Sequence, residues 1–123
     1  MPTRQSWWLG MTSHLECYAL LFAMAASEFK SRRYRDLAYS QLEWVMGANP
    51  FGACLMTGEG INTPYPHSRF VGLIPGGLLN GIAGNSRDEP VLDTTNSFDW
   101  RTTEYWSPHN AWYIWTNSVL ERG

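Results

Sequence analysis

Basic charge, cysteine and long apolar runs are all scarce in this sequence, and each shortage removes a class of function. Among 123 residues there is one lysine, Lys30, and nine basic residues stand against eleven acidic ones for a net charge of −2. A chain so balanced has no basic stripe with which to neutralise a phosphate backbone, so nucleic acid is not an expected partner. Two cysteines, Cys17 and Cys54, supply neither a metal-binding spacing nor a dense disulfide framework. One bridge and two free thiols both stay open, and so does the compartment. The apolar run at residues 18–26 is too short to span a bilayer and follows Glu16 instead of a basic stretch. Neither a membrane anchor nor a signal peptide is read, and no membrane partner is expected. Acidic residues are absent before Glu16.

Aromatic residues, by contrast, are abundant: 15% of the chain, with seven tryptophans. Core packing and stacking on flat apolar ligand faces such as sugar rings both call for them. The length allows one domain at most, and 44% hydrophobic residues suffice for a core. Apolar positions at Leu15, Tyr18, Ala19, Phe22, Ala26 and Phe29 recur at helical spacing and predict a helix over 13–30, opened by a capping box at Ser13-His14-Leu15-Glu16. Leu20, Leu21 and Met24 make it apolar on more than one side, which suits a helix sandwiched between neighbours. Tyr34, Leu37, Ala38, Gln41, Leu42 and Val45 predict a second helix over 32–47, capped by Ser31 and stopped at Gly47-Ala48-Asn49-Pro50. Arg32, Arg33, Arg35, Asp36 and Glu43 form its solvated face. From Pro50 to Ser107 prolines and glycines crowd the chain and no long helix is legible. Leu55, Met56, Leu73, Ile74, Leu78, Leu79 and Ile82 give that stretch enough to bury, so ordered winding loops are expected, with room for a short helix or strand pair.

The chemistry concentrates in residues 100–111, Trp-Arg-Thr-Thr-Glu-Tyr-Trp-Ser-Pro-His-Asn-Ala. Ser107 reads as an N-cap and Pro108 as the first residue of a third helix over 108–121. Glu104 is the one carboxylate of the stretch, hemmed in by Trp100, Tyr105 and Trp106 ahead of that helix. Aromatic surface withdraws water and favours the neutral acid, while a helix N-terminus favours the carboxylate, and sequence leaves the two opposed. The plain alternative is a solvated glutamate near a helix start. His14 and His109 read as structural. Asp88, Glu89 and Asp93 have no recognisable cation-loop pattern, so a solvated turn is the simpler reading and no metal is expected.

Three blocks, in order, carry a resemblance that spans roughly residues 34 to 120. They are Leu42-Glu43-Trp44-Val45-Met46-Gly47-Ala48-Asn49-Pro50-Phe51-Gly52; Thr57-Gly58-Glu59-Gly60-Ile61-Asn62 followed by Pro66-His67-Ser68-Arg69; and Trp100, Glu104, Asn110 and Ala111 at their mutual spacing. Together they resemble the C-terminal part of the catalytic domain of family 9 glycoside hydrolases, the inverting cellulases and their relatives. Departures mark a divergent branch. The gap from Asn62 to His67 is one residue short, Thr103 stands where the family commonly has Asn, and Thr95 stands where an aspartate is expected.

The resemblance implies an all-α fold with long ordered loops, the C-terminal portion of an (α/α)6 toroid, with residues 1–123 as a partial catalytic domain. It implies hydrolysis of a β-linked glucan with inversion, Glu104 as the general acid, and substrate contacts from His67, Arg69, Trp100, Tyr105 and Trp106. No cofactor is implied. The partners would be the carbohydrate substrate and the missing N-terminal part of the same domain, which would bring the catalytic base; alone, the chain is expected to be inactive. Secretion or export to the periplasm is likewise only implied. Two rivals stay open. A non-catalytic carbohydrate-binding or scaffold piece would hold glycan without turnover, and another helical-toroid enzyme such as a polysaccharide lyase would release unsaturated, ultraviolet-absorbing products.

Overall fold

The computed structural model describes residues 9–67 and 72–122. Its elements are α1 (Thr12–Phe29), α2 (Arg32–Val45), a two-residue strand pair β1 (Ala83–Gly84) and β2 (Pro90–Val91), the single turn α3 (Trp100–Thr103) and α4 (Ser107–Arg122). The three long helices lie where 13–30, 32–47 and 108–121 were expected, α4 starting one residue early. The strand pair and α3 supply the short elements expected within the glycine-rich stretch.

Helix α1 lies against both α2 and α4. Its small side chains explain why: Ala19, Ala23 and Ala26 are buried at helical spacing and let the neighbours approach, meeting Ala38 and Leu42 of α2 and Leu120 of α4. The remaining face of α1 is apolar yet open, with Tyr18, Leu21 and Met24 each about half exposed. Lys30 ends the helix in the left-handed conformation, φ 49°, its N–H returned to the Ala26 carbonyl. Ser31 then starts α2 from an extended conformation without a side-chain cap bond. At the far end of α2, Asn49 does what a helix stop requires of a residue with both donors and acceptors. Its Nδ2 donates to the Trp44 and Ala53 carbonyls at 2.8 Å each, and its Oδ1 accepts from the Phe51 and Ala53 amides.

A second core forms where the loops fold back over the helix ends, from Val45, Leu55, Met56, Leu78, Ile82 and Leu92. Short backbone pairings hold it, Met56 with Leu78 and Leu79 with Tyr105 as isolated bridges, and Ala83 with Val91 in the antiparallel pair. Cys54 is buried in this core and Cys17 is exposed on α1, so the two thiols are free.

The capping box is not formed. Helix α1 begins at Thr12 after Met11, and the amides of Met11 and Thr12 are taken by the loop carbonyls of Ile82 and Asn80. With tertiary acceptors already satisfying this helix end, Ser13 lies inside the helix and Glu16 turns inward. Glu16 is fully buried with no hydrogen-bond partner for either carboxyl oxygen among the described residues, and burial pushes its pKa from 4.5 to about 8. In α4 His109 is also buried, and burial lowers its pKa from 6.5 to about 4.

These two groups give the fold a defined pH response. Between pH 4.5 and 8 the unfolded chain releases the Glu16 proton while the folded chain keeps it, so stability falls as pH rises. Between pH 4 and 6.5 the unfolded chain binds a proton at His109 that the folded chain refuses, so stability falls as pH drops. Where the windows overlap, from 4.5 to 6.5, the slopes oppose each other and stability should be flat, with a decline on either side. Glu16→Gln is expected to abolish the alkaline decline, read as the urea midpoint of the intact protein at pH 6 and pH 8.5; a decline that persists contradicts the assignment.

Candidate active site

The segment carrying Glu104 is built from the loop at residues 93–99 onward. Asp99 caps α3: its Oδ1 accepts from the Arg101 amide, and its carboxylate pairs with the Arg101 guanidinium at 2.7 Å, which holds the Asp99 pKa below its ordinary value. Its carbonyl also accepts from the hydroxyls of Thr102 and Thr103, which is why two threonines suit this turn. The chain then extends at Glu104, φ −81° and ψ 147°. The Asn80 amide donates to the Glu104 carbonyl at 2.9 Å, and the His67 amide to the preceding carbonyl, Thr103, at 2.7 Å. Thus the loop bearing His67 is fastened to the residue next to Glu104.

Side chains finish the arrangement. The Trp106 indole N–H donates to Glu104 Oε2 at 2.6 Å, and Oε1 has no partner among the described residues. Trp106 in turn stacks on His109, centroids 6.3 Å apart at 6°. His109 Nε2 lies 2.8 Å from Asn80 Oδ1, while Asn80 Nδ2 donates to the Trp100 carbonyl. Since Asn80 Oδ1 can only accept, His109 carries its proton on Nε2. The buried Asn80 therefore ties Trp100, Glu104 and the platform under Trp106 together. Trp100 and Trp106 are both 36% exposed at the rim.

His67 is half-buried. Its Nδ1 lies 2.6 Å from the Phe98 carbonyl, and its ring meets the Phe98 ring edge-on at 5.8 Å. A carbonyl accepts only, so the proton is on Nδ1 and Nε2 is left as an acceptor. Arg69, expected beside it, lies outside the described residues.

Tyr105 is half-buried, and its hydroxyl is committed to Thr57 Oγ1 at 2.6 Å and to the Ile74 amide at 3.0 Å. Asn110 accepts from the Leu78 amide and donates to the Gly76 carbonyl. Together they hold the 74–78 loop over the first turn of α4. A hollow of about 330 Å³ lies there, walled by that loop, Tyr105, Trp106 and Asn110. Thr57, buried in the loop core, and Asn80 were not legible as site residues: each is a polar side chain in an apolar or glycine-rich run whose partners lie 17 to 48 residues away. Asp93 and Asp99 also belong to the frame. Asp93 is 7% exposed and turned inward, unlike the exposed Asp88 and Glu89 of the neighbouring turn.

The Glycosyl hydrolase family 9 model matches residues 5–111. Among solved structures, the catalytic domain of Clostridium thermocellum CelT shares this fold, with a TM-score of 0.72 and 22% identity over 96% of the chain. The cellulase Cel9M of C. cellulolyticum does so with a TM-score of 0.72 and 20% identity over 94% of the chain, alone and in complex with cellobiose. The chain spans 26% of the CelT domain and 30% of Cel9M. Its helices are accordingly those of a portion of an (α/α)6 toroid. No curated protein compared with the chain matches it.

Proposed function

Because the chain belongs to glycosyl hydrolase family 9, we propose that residues 1–123 form the C-terminal, acid-bearing part of a catalytic domain that hydrolyses a β-linked glucan with inversion. The observation that carries this is the Glu104 carboxylate itself: gripped on one oxygen by the Trp106 indole, free on the other among the described residues, and joined through Thr103 to the His67 loop. A carboxyl group so oriented suits protonation of a departing glycosidic oxygen. Inversion also needs a base that activates water across the bond, its carboxylate about 6.5–9.5 Å from the acid. Asp93 and Asp99 do not suit that part, since backbone amides and Arg101 already occupy their oxygens. By the family resemblance, the base belongs to the rest of the toroid.

His67 Nε2 and, by resemblance, Arg69 contact sugar hydroxyls beside the scissile bond, and Trp100 and Trp106 offer stacking faces. Tyr105 walls the site from behind. The cellobiose bound by a relative of the same fold supports a β-glucan as substrate. The open faces of α1 and α4 support a partial domain: Tyr18, Leu21, Met24, Ile114 and Trp115 are apolar side chains about half exposed or more, as helices awaiting neighbours would be.

Joining or co-expressing this chain with the remaining helices of its toroid should restore release of reducing ends from soluble β-1,4-glucan, with neither part active alone. Glycan retention without turnover in the completed toroid would favour the binding-module reading, and ultraviolet-absorbing products the lyase reading; either result overturns the proposal.

A further inference from the structure

We infer that Asp93 is the positioning residue for both arms of the candidate site, closing the 93–99 loop so that the loop holds the His67 ring on one side and the turn leading to Glu104 on the other. This deepens the reading above and rests on it for the roles of His67 and Glu104.

Among the described residues, little else holds the loop. Residues 94–98 are all exposed, Phe98 at 47%, so burial contributes little to fixing them. Asn96 at φ 58° takes a left-handed conformation that asparagine tolerates, but Phe98 at φ 60° is held in one that a bulky side chain does not keep unaided. The Asp93 carboxylate holds it there. Its Oδ1 accepts from the Thr95 amide at 3.1 Å, the Thr95 hydroxyl at 3.2 Å and the Ser97 amide at 3.1 Å, and its Oδ2 accepts from the Asp99 amide at 3.0 Å. The Asp93 amide donates to Thr102 Oγ1, anchoring the loop's start to the turn that it precedes.

Two consequences follow from where these bonds fall. The amides of Ser97 and Asp99 flank Phe98, so fixing both aims the Phe98 carbonyl at His67 Nδ1. That bond sets the His67 tautomer and leaves Nε2 as the acceptor. Fixing the Asp99 amide also seats the residue whose side chain and carbonyl organise α3, and α3 ends at Glu104. Burial works to raise the Asp93 pKa, but the amides of Asp99, Ser97 and Thr95 outweigh it and hold it at about 2, so the carboxylate stays charged at any working pH and its bonds stay charge-assisted.

The test uses the full-length protein with ¹⁵N-labelled histidine, the His67 signal being assigned by its loss in His67→Gln. Wild type should show a proton on Nδ1. Asp93→Ala should move His67 toward the Nε2 tautomer and lower kcat/KM on β-glucan by about 10–100-fold, the scale on which small misplacements act. Asp93→Asn keeps one acceptor for Thr95 and Ser97 but presents a donor to the Asp99 amide, so it should fall between the two. An unchanged Nδ1–H signal in folded Asp93→Ala overturns the proposal whatever the activity. A shifted signal with unaltered turnover upholds only the link to His67: it overturns the part of the proposal that has Asp93 position the Glu104 turn, and counts against His67 as a site residue. If Asp93→Ala does not fold, Asp93→Asn decides alone, and it must shift the His67 signal for the proposal to stand.

Discussion

Replacing Glu104 by glutamine in the full-length protein is expected to lower turnover of unactivated β-glucan by about 10²–10⁴-fold, the usual contribution of a positioned general acid. Glucan binding should change little. Glutamine has the same shape, and its carbonyl oxygen can accept the Trp106 indole N–H that now reaches Glu104 Oε2, so the side chain keeps its place. What glutamine lacks is a transferable proton. An interaction needed only as the bond breaks appears in kcat and leaves the dissociation constant alone. Steady-state kinetics on soluble glucan, paired with calorimetric binding of cello-oligosaccharide to the same variant, separate the two. Activity near wild type would remove Glu104 from the acid's role.

The second large effect is on stability and falls far from any carboxylate. Gly81 stands at φ +87°, and a Cβ there would overlap Thr12 Oγ1 and lie 2.9 Å from Leu55 Cδ1. Its amide also donates to the Thr102 carbonyl, so the backbone has little room to shift. A left-handed conformation costs a side-chain-bearing residue about 1–2 kcal/mol, and overpacking about 1–3 kcal/mol. Gly81→Ala should therefore cost about 2–5 kcal/mol, as both terms act at once. Gly76 is the control, since at φ +79° a Cβ would have nothing within 4 Å. Gly76→Ala should show the conformational cost only. Adding Thr12→Ala, which removes a hydroxyl that has no hydrogen-bond partner among the described residues, should return part of the loss in Gly81→Ala. Denaturant midpoints of the variants decide it, and equal costs at the two glycines would contradict the close approach.

The helices were legible because their signals are local. Leu15, Ala19, Phe22 and Ala26 recur at the helical period and face the cores, while Tyr18 and Phe29 of the same stripe stay exposed; the Gly47-Ala48-Asn49-Pro50 stop names its own mechanism once Asn49 is seen bonding in both directions. The capping box misled for the converse reason. Ser-x-x-Glu describes a helix end that satisfies itself, whereas here Ile82 and Asn80, some seventy residues on, supply the acceptors. Separations of 17 to 48 residues likewise hid Asn80 and Thr57, whose side chains act only once separate loops meet. Tyr105 shows a limit of composition: beside an acid, a tyrosine reads equally well as a sugar platform or as a wall, and only the bonds of its hydroxyl to Thr57 and Ile74 reveal the tether. Only the resemblance put the His67 loop near Glu104, no periodicity did, and the structure joins them by one backbone bond, from the His67 amide to the Thr103 carbonyl.

Proton donation by Glu104 is tested most directly by making the leaving group independent of it. In the completed toroid, Glu104→Gln should hydrolyse a β-glucosyl fluoride or dinitrophenyl cellobioside, whose leaving groups need no proton, at a rate near wild type while failing on unmodified cello-oligosaccharide. Equal loss on both substrates would contradict the account, because it would mean that the residue serves the site in some way other than handing over a proton.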